Sequence, residues 1–235
     1  MASILPSGVS SVAGPPPRLV IADGSLEALK WLSLGLMVLD HVNKFLFGES
    51  SAVLFDLGRM VMPLFGFVLM YNLTRPDAVA RGIHLRVMRR LLVFGTLATP
   101  LFLMLVGWWP LNILFMLSLA TGIVWLIERG GAIRFAIASL LFVTAGAFVE
   151  FWWFGVLCCL GAWAFCRRPT ACGLILWLLA TASLWIVNRN FAALAALPLI
   201  WGASRVGIPT KRCQWLFYGA YPAHLAVIWS WQLFG

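Results

Sequence analysis

The sequence predicts an all-α, polytopic membrane protein with about nine transmembrane helices and a cytoplasmic N-terminus. The prediction depends on the apolar composition, the succession of apolar runs, and the placement of basic residues between them. Of 235 residues, 62% are hydrophobic and only 11% are charged, which is too apolar for an average soluble domain. A spanning helix needs ~20 mostly apolar residues, because its backbone polar groups must be paired internally where there is no water.

Apolar runs follow one another along the chain, separated by short segments that contain charged residues, glycine or proline. The predicted spans are residues 26–47, 53–73, 91–107, 111–127, 135–149, 151–165, 171–187, 191–203 and 215–233. The fifth, sixth and eighth are shorter than a full membrane thickness, so a count of roughly eight to ten fits the pattern. Residues 1–24, rich in Ser, Pro and Gly, are predicted to be a disordered cytoplasmic tail, and residues 25–235 a single transmembrane helical domain.

Basic residues mark every second loop, which fixes the predicted orientation, because positive charge stays on the cytoplasmic side. The opposite loops contain a single arginine, Arg189. This alternation also explains the formal net charge of +9, so nucleic acid is not predicted as a partner. The basic residues are Arg75, Arg81, Arg86, Arg89 and Arg90 after the second span, Arg129 and Arg134 after the fourth, Arg167 and Arg168 after the sixth, and Arg205, Lys211 and Arg212 after the eighth.

The first span contains an unusual polar cluster in the stretch "LMVLDHVNKFLF", with Asp40, His41 and Lys44 in an apolar run. A charged side chain inside a bilayer costs ~2.5–3.5 kcal/mol on insertion scales, so such residues usually face a cavity or a partner. A functional site is therefore the first hypothesis. The alternative is that Asp40 and Arg59 only pair to hold the first two spans together, while Lys44 reaches the headgroups.

Two of the three histidines, His41 and His224, lie in apolar spans. The pKa of imidazole suits a general base near neutral pH, and a nearby carboxylate can orient it. Two histidines and Asp40 are too weak a pattern to predict a metal site, so none is predicted. His84 falls in the basic loop after the second span and is expected to be solvated.

Three motifs together resemble the TraX family of conjugative-pilus proteins over residues 26–231. They are "MVLDHVNKFLF", "LGRMVMPLFGFVL" and "YGAYPAHLAVIW", in this order, with an asparagine at the start of the fourth span. Each motif is weak alone, and the combination is specific. The residues that match the family motifs are Asp40, His41, Gly58, Arg59, Pro63, Asn112, Tyr221, Pro222 and His224.

The resemblance implies an acetyltransferase of the bacterial inner membrane that transfers acetyl from acetyl-CoA to the N-terminal amine of the pilin subunit. The implied partners are pilin, acetyl-CoA and membrane lipids, and no metal is implied. Members often have an Asp-Tyr or Asp-Trp pair at the outer turn before the sixth span, and this chain departs from them with Glu150 and Phe151. Glu150 is thus left without a predicted role.

Amine acetylation needs a base, donors for the developing oxyanion, and a pocket that excludes water. Within the family reading, His41 is the predicted base, oriented by Asp40. His224 is a second base, a relay or an acetyl acceptor, while Arg59 and Tyr221 stabilise the oxyanion or orient the substrate. Asn112 is the predicted substrate-binding residue, and the phosphates of acetyl-CoA are expected to bind Arg86, Arg89 and Arg90.

Two other functions stay open at this point. One is an O-acetyltransferase for an envelope sugar or lipid, which would use the same base and donor. The other is a non-enzymatic membrane protein, either a proton-coupled transporter or a helper in pilus assembly, since charged residues in spans also form proton relays. The transporter is disfavoured because the two halves of the chain show no internal repeat.

Overall fold

The computed structural model describes residues 19–234, and this part of the chain is helical without any β-strand. Of the predicted tail, residues 1–18 lie outside the described residues, whereas residues 23 and 24 already belong to the first helix. A short 3₁₀ helix spans Ala192–Ala195. The helices are α1 (Asp23–Phe45), α2 (Ala52–Gly58), α3 (Val61–Leu73), α4 (Ile83–Leu105), α5 (Ile113–Arg129), α6 (Ala132–Ala145), α7 (Trp152–Arg167), α8 (Ala171–Ala182), α9 (Trp185–Asn188), α10 (Ala196–Arg205) and α11 (Gln214–Phe234).

Three helical segments of the described chain are long and apolar enough to cross a membrane: Ala52–Leu73, Ile83–Leu105 and Ala171–Asn188. The helices Ala132–Ala145 and Trp152–Arg167 are apolar but shorter. Each of the nine predicted spans coincides with one helix or with two consecutive ones. The all-helical class and the membrane character are confirmed, whereas the nine-span count and the cytoplasmic N-terminus stay predictions.

The second predicted span is not one continuous helix, because it is interrupted at Arg59 and Met60 between α2 and α3. Pro63 explains the interruption, since it lacks the N–H that would bond to the Arg59 carbonyl in an unbroken helix. The Arg59 N–H instead bonds to the Asp56 carbonyl at 3.1 Å, in a tighter turn. The interruption places the Arg59 side chain at a bend, where its Nε donates to the Phe55 carbonyl at 3.1 Å.

α3 is the central helix and packs against α1 and α7. Its side chains are among the most buried, with Leu64, Phe67 and Met70 fully enclosed. Met116 of α5 and Val156 of α7 are also fully buried. The described interior is thus built from apolar side chains of α3, α5 and α7, and the polar residues discussed below lie on either side of it.

One end of the bundle gathers the basic loops, and we name it the basic end. There α1 begins beside the end of α3, with Arg75 bonded to Asp23, a contact that holds the pKa of Asp23 below its ordinary value. At the opposite end, the far end, the side chain of Gln232 in α11 donates to the carbonyl of Phe45 in α1 at 2.8 Å. The predicted grouping of basic loops on one side therefore agrees with the packing.

The expectation that His84 is solvated is wrong. Helix α4 begins at Ile83, so the His84 side chain turns inward and is only 1% exposed. Its Nε2 lies 3.2 Å from Oε2 of Glu128, at the end of α5. The other carboxylate oxygen accepts from Trp163 at 2.9 Å and from Arg167 at 3.1 Å. His84 is therefore part of a polar cluster that joins α4, α5 and α7 at the basic end.

Candidate active site

A pair of histidines joins α1 to α11 near the far end. The Nδ1 atom of His41 lies 2.6 Å from Nε2 of His224, and Nδ1 of His224 lies 2.9 Å from the Ala220 carbonyl. A carbonyl oxygen only accepts, so Nδ1 of His224 carries the proton and its Nε2 accepts from His41. The neutral His41 ring then has its lone pair on Nε2, and the only hydrogen bond of its side chain within the described residues is the one at Nδ1. Nε2 is available as a base.

Asp40 does not orient His41, contrary to the sequence prediction. Its two carboxylate oxygens instead accept from one guanidinium nitrogen of Arg59, at 2.7 and 2.9 Å. Gly58 permits this approach, because a Cβ built there would lie 2.3 Å from the Asp40 carboxyl carbon. The orienting partner of His41 is His224, and Asp40 instead fixes the position of Arg59.

Two adjoining cavities of about 300 and 70 Å³ border this cluster, and His41, Arg59 and Glu150 line both of them. Lys44 also lines both. Tyr221 lines the smaller cavity, is only 3% exposed, and stands edge-on to His224 with ring centres 5.5 Å apart. The structure therefore brings together an imidazole, a guanidinium and a phenol around these two cavities. Such a set can remove a proton and stabilise a developing negative charge.

A protein-family model described as "TraX protein" matches residues 25–231 of the chain. The chain belongs to the TraX family. The family is linked to conjugation and to the processing of pilin. Neither the search of curated proteins nor that of solved structures finds a match, so the family assignment depends on the family model and the motifs together.

The TraX-type motifs converge in space. The D-H pair of α1, the G-R pair at the bend before α3, and the Y-P-x-H segment of α11 all contribute to the same cavities or to the histidine pair. Metal ligands are not part of this convergence, since no group of three or more His, Cys, Asp or Glu among the described residues is placed to hold a metal ion.

The family-matching asparagine, Asn112, does not line either cavity. It caps α5, where its side-chain oxygen accepts from the Leu114 N–H at 3.1 Å. Its side-chain nitrogen donates to the Gly95 carbonyl at 3.0 Å, and the residue is only 1% exposed. With both ends of the amide occupied inside the protein, this placement favours a structural role and gives no support to substrate binding.

The three arginines predicted to bind the donor lie at the basic end, in the first turns of α4. Arg86 donates to the Arg81 carbonyl at 3.2 Å, and the Arg90 guanidinium stacks over Trp215 of α11 at 4.5 Å. Phe102, on the same helix, lines the larger cavity. At 1.5 Å per residue, Arg90 and Phe102 are about 18 Å apart along the helix axis. The arginines and the histidine pair are thus separate regions of one molecule.

Glu150 is the residue that sequence reasoning discounted and that the structure places in the site. Its Oε2 atom is enclosed and has no hydrogen-bond partner among the described residues. The following residues, Phe151 and Trp152, both have positive φ values, of 60° and 50°. Non-glycine residues rarely adopt this conformation, which is often found near functional sites. The sequence signal that was available is a carboxylate at the turn between two apolar spans.

Proposed function

We propose that this TraX-family protein is an acetyltransferase of the bacterial inner membrane that transfers acetyl from acetyl-CoA to the N-terminal amine of the conjugative pilin subunit. The observation that supports the proposal most is that His41, with its Nε2 free, and Arg59 line the same two cavities. The family's link to pilin processing supplies the acceptor.

In this proposal His41 is the general base. The pilin amine attacks the thioester carbonyl, and Nε2 of His41 takes the proton that the amine loses as the C–N bond forms. Positive charge then develops on His41, and the hydrogen bond from its Nδ1 to His224 stabilises that charge. Since both His224 nitrogens are engaged, we assign His224 as a positioning residue in preference to a free nucleophile or acetyl acceptor.

Arg59 and Tyr221 are proposed to stabilise the negative charge on the carbonyl oxygen. Arg59 is suited to this role because Asp40 and the Phe55 carbonyl hold its guanidinium in place before substrate arrives, and preorganised donors need little rearrangement. The remaining N–H groups of the guanidinium, which has five in total, are available to a ligand.

The donor is proposed to approach from the basic end. Acetyl-CoA is cytosolic, and Arg86, Arg89 and Arg90 provide positive charge for its phosphates. With the cytoplasmic N-terminus predicted above, the acyl arm reaches from these arginines toward the far end, where pilin presents its amine.

The decisive test is the intact mass of pilin from cells that contain the wild-type protein, His41→Ala or no copy of it. We expect a gain of one acetyl group, at the pilin N-terminus, with the wild-type protein only. Leu39→Ala, which removes an exposed apolar side chain from the same helix, is the matched control and should retain acetylation. Unmodified pilin in the wild-type sample, with acetyl found on an envelope sugar or lipid, would instead establish the O-acetyltransferase.

A further inference from the structure

We infer that Glu150 binds the positively charged amine of the acceptor and accepts its first proton, an inference that rests on the proposed acetyl transfer. The backbone fixes this residue beside α5, because its N–H donates to the Leu111 carbonyl at 2.8 Å. The Leu111 N–H in turn donates to the Phe148 carbonyl at 2.7 Å. Glu150 is therefore held at the cavities by main-chain contacts, independently of its own side chain.

The charged residues around Glu150 form no ion pair with its carboxylate in the described part of the chain. Arg59 is already paired with Asp40. Lys44 is exposed, with its Nζ 5.4 Å from the centre of the Phe45 ring. Among the described residues, no cation forms an ion pair with Glu150 within 4.0 Å. An enclosed carboxylate is unfavourable until it is paired, so a cation that enters the cavity completes this site.

The surroundings suit an ammonium group. Phe45, Phe151 and Trp152 line the larger cavity with Glu150, and aromatic faces attract cations. The site therefore combines a carboxyl group that the backbone holds in place with aromatic walls, and this combination can recognise a primary ammonium.

Glu150 also solves a chemical difficulty, because an α-amine is largely protonated at neutral pH and an ammonium cannot attack. The ammonium gives one proton to the Glu150 carboxylate, and the neutral amine forms the C–N bond while the C–S bond of the thioester breaks. His41 takes the second proton and passes it to the departing thiolate. The proton on Glu150 is released to water, so one ammonium and one thioester yield one amide, one thiol and one proton.

The inference predicts selection of an amine over an alcohol, which can be measured as binding without turnover. The full-length protein in lipid nanodiscs is titrated calorimetrically, without acetyl-CoA, with a decapeptide that carries a free α-ammonium and with a counterpart that carries a hydroxyl in its place. We expect the ammonium peptide to bind at least tenfold more tightly. Glu150→Gln should reduce this preference below twofold, and Glu150→Asp, which retains the charge, should preserve it.

Glu49→Gln is the matched control, since it removes a carboxylate from an exposed far-end position that does not line either cavity. Its ammonium preference should equal that of the wild-type protein. Equal affinity of the wild-type protein for the two peptides, or an undiminished preference in folded Glu150→Gln, overturns the role of Glu150. Acetyl transfer is followed separately by mass spectrometry of both peptides with the wild-type protein. Transfer to neither peptide removes the proposed function, whereas transfer without an ammonium preference removes only the inference about Glu150.

Discussion

The contact between His41 and His224 leads to a quantitative prediction for the kcat of variants at His224. His224→Phe removes the acceptor of the His41 Nδ1–H bond, which is 2.6 Å long, and leaves that donor without a partner. A hydrogen bond to a charged group contributes ~1.5–3 kcal/mol, and His41 becomes charged only as the proton is transferred. We therefore expect kcat to fall about 10- to 150-fold, at ~1.4 kcal/mol per factor of ten, with little change in KM.

His224→Gln separates positioning from proton relay. A glutamine side-chain oxygen can accept the same hydrogen bond but cannot carry the proton, so we expect kcat within about fivefold of wild type if positioning suffices. The assay is mass-spectrometric acetylation of a peptide by purified protein in nanodiscs, with thermal unfolding as the control for folding. A kcat for His224→Gln as low as that for His224→Phe would show that His224 must carry the proton.

The double variant that combines His224→Phe with His41→Ala completes the test. Since His224 is proposed to act through His41, the double variant should be no slower than His41→Ala alone. If the losses in kcat of the two single variants multiply in the double variant, the two histidines contribute independently. Wild-type kcat in His224→Phe would refute the reasoning about the pair.

Three further predictions concern packing, orientation and donor binding. Gly58→Ala should lower both the unfolding temperature and kcat, because its Cβ would displace the Asp40 carboxylate of the partly buried ion pair at a cost of ~1–3 kcal/mol. Wild-type values for both would contradict the close packing. In a variant without native cysteines, a cysteine at Glu49 should react with a membrane-impermeant reagent from outside intact cells and one at Arg81 should not; the reverse pattern would invert the orientation. Replacing Arg89 and Arg90 with Gln should raise the KM for acetyl-CoA at least tenfold, since two phosphate contacts contribute ~1.5–3 kcal/mol each. The KM for the acceptor should stay within twofold of wild type. A change below twofold in the KM for acetyl-CoA would show that these arginines act only as orientation signals.

The sequence indicated most of the polar residues that meet at the cavities, but it did not indicate which side chains contact each other. His41 and His224 could be singled out because imidazoles are rare in apolar runs, and their contact spans 183 positions of sequence separation. Their neighbours are harder to predict, because successive helical side chains diverge by about 100°. Asp40 therefore points to Arg59 although it adjoins His41 in the chain.

The other differences between the sequence predictions and the structure arise at the ends of helices. His84 belongs to a segment rich in arginine, but α4 begins one residue earlier and turns its ring inward. Asn112 looks like a polar residue of a span, but at the first turn of α5 its amide satisfies backbone groups. Glu150 required the three-dimensional structure, since its free oxygen is evident only once the surrounding charges have been paired with other partners.

The histidine pair has a consequence for the biogenesis of the protein. His41 belongs to the first described helix and His224 to the last, and a ribosome adds ~5–20 residues per second. The 183 residues between them correspond to about 10 to 40 s of synthesis at that rate. During this interval His41 is already made while its partner is not. A chain that stalls or inserts only in part thus has the imidazole without its orienting acceptor, so the proposed base forms only after α11 has joined the bundle.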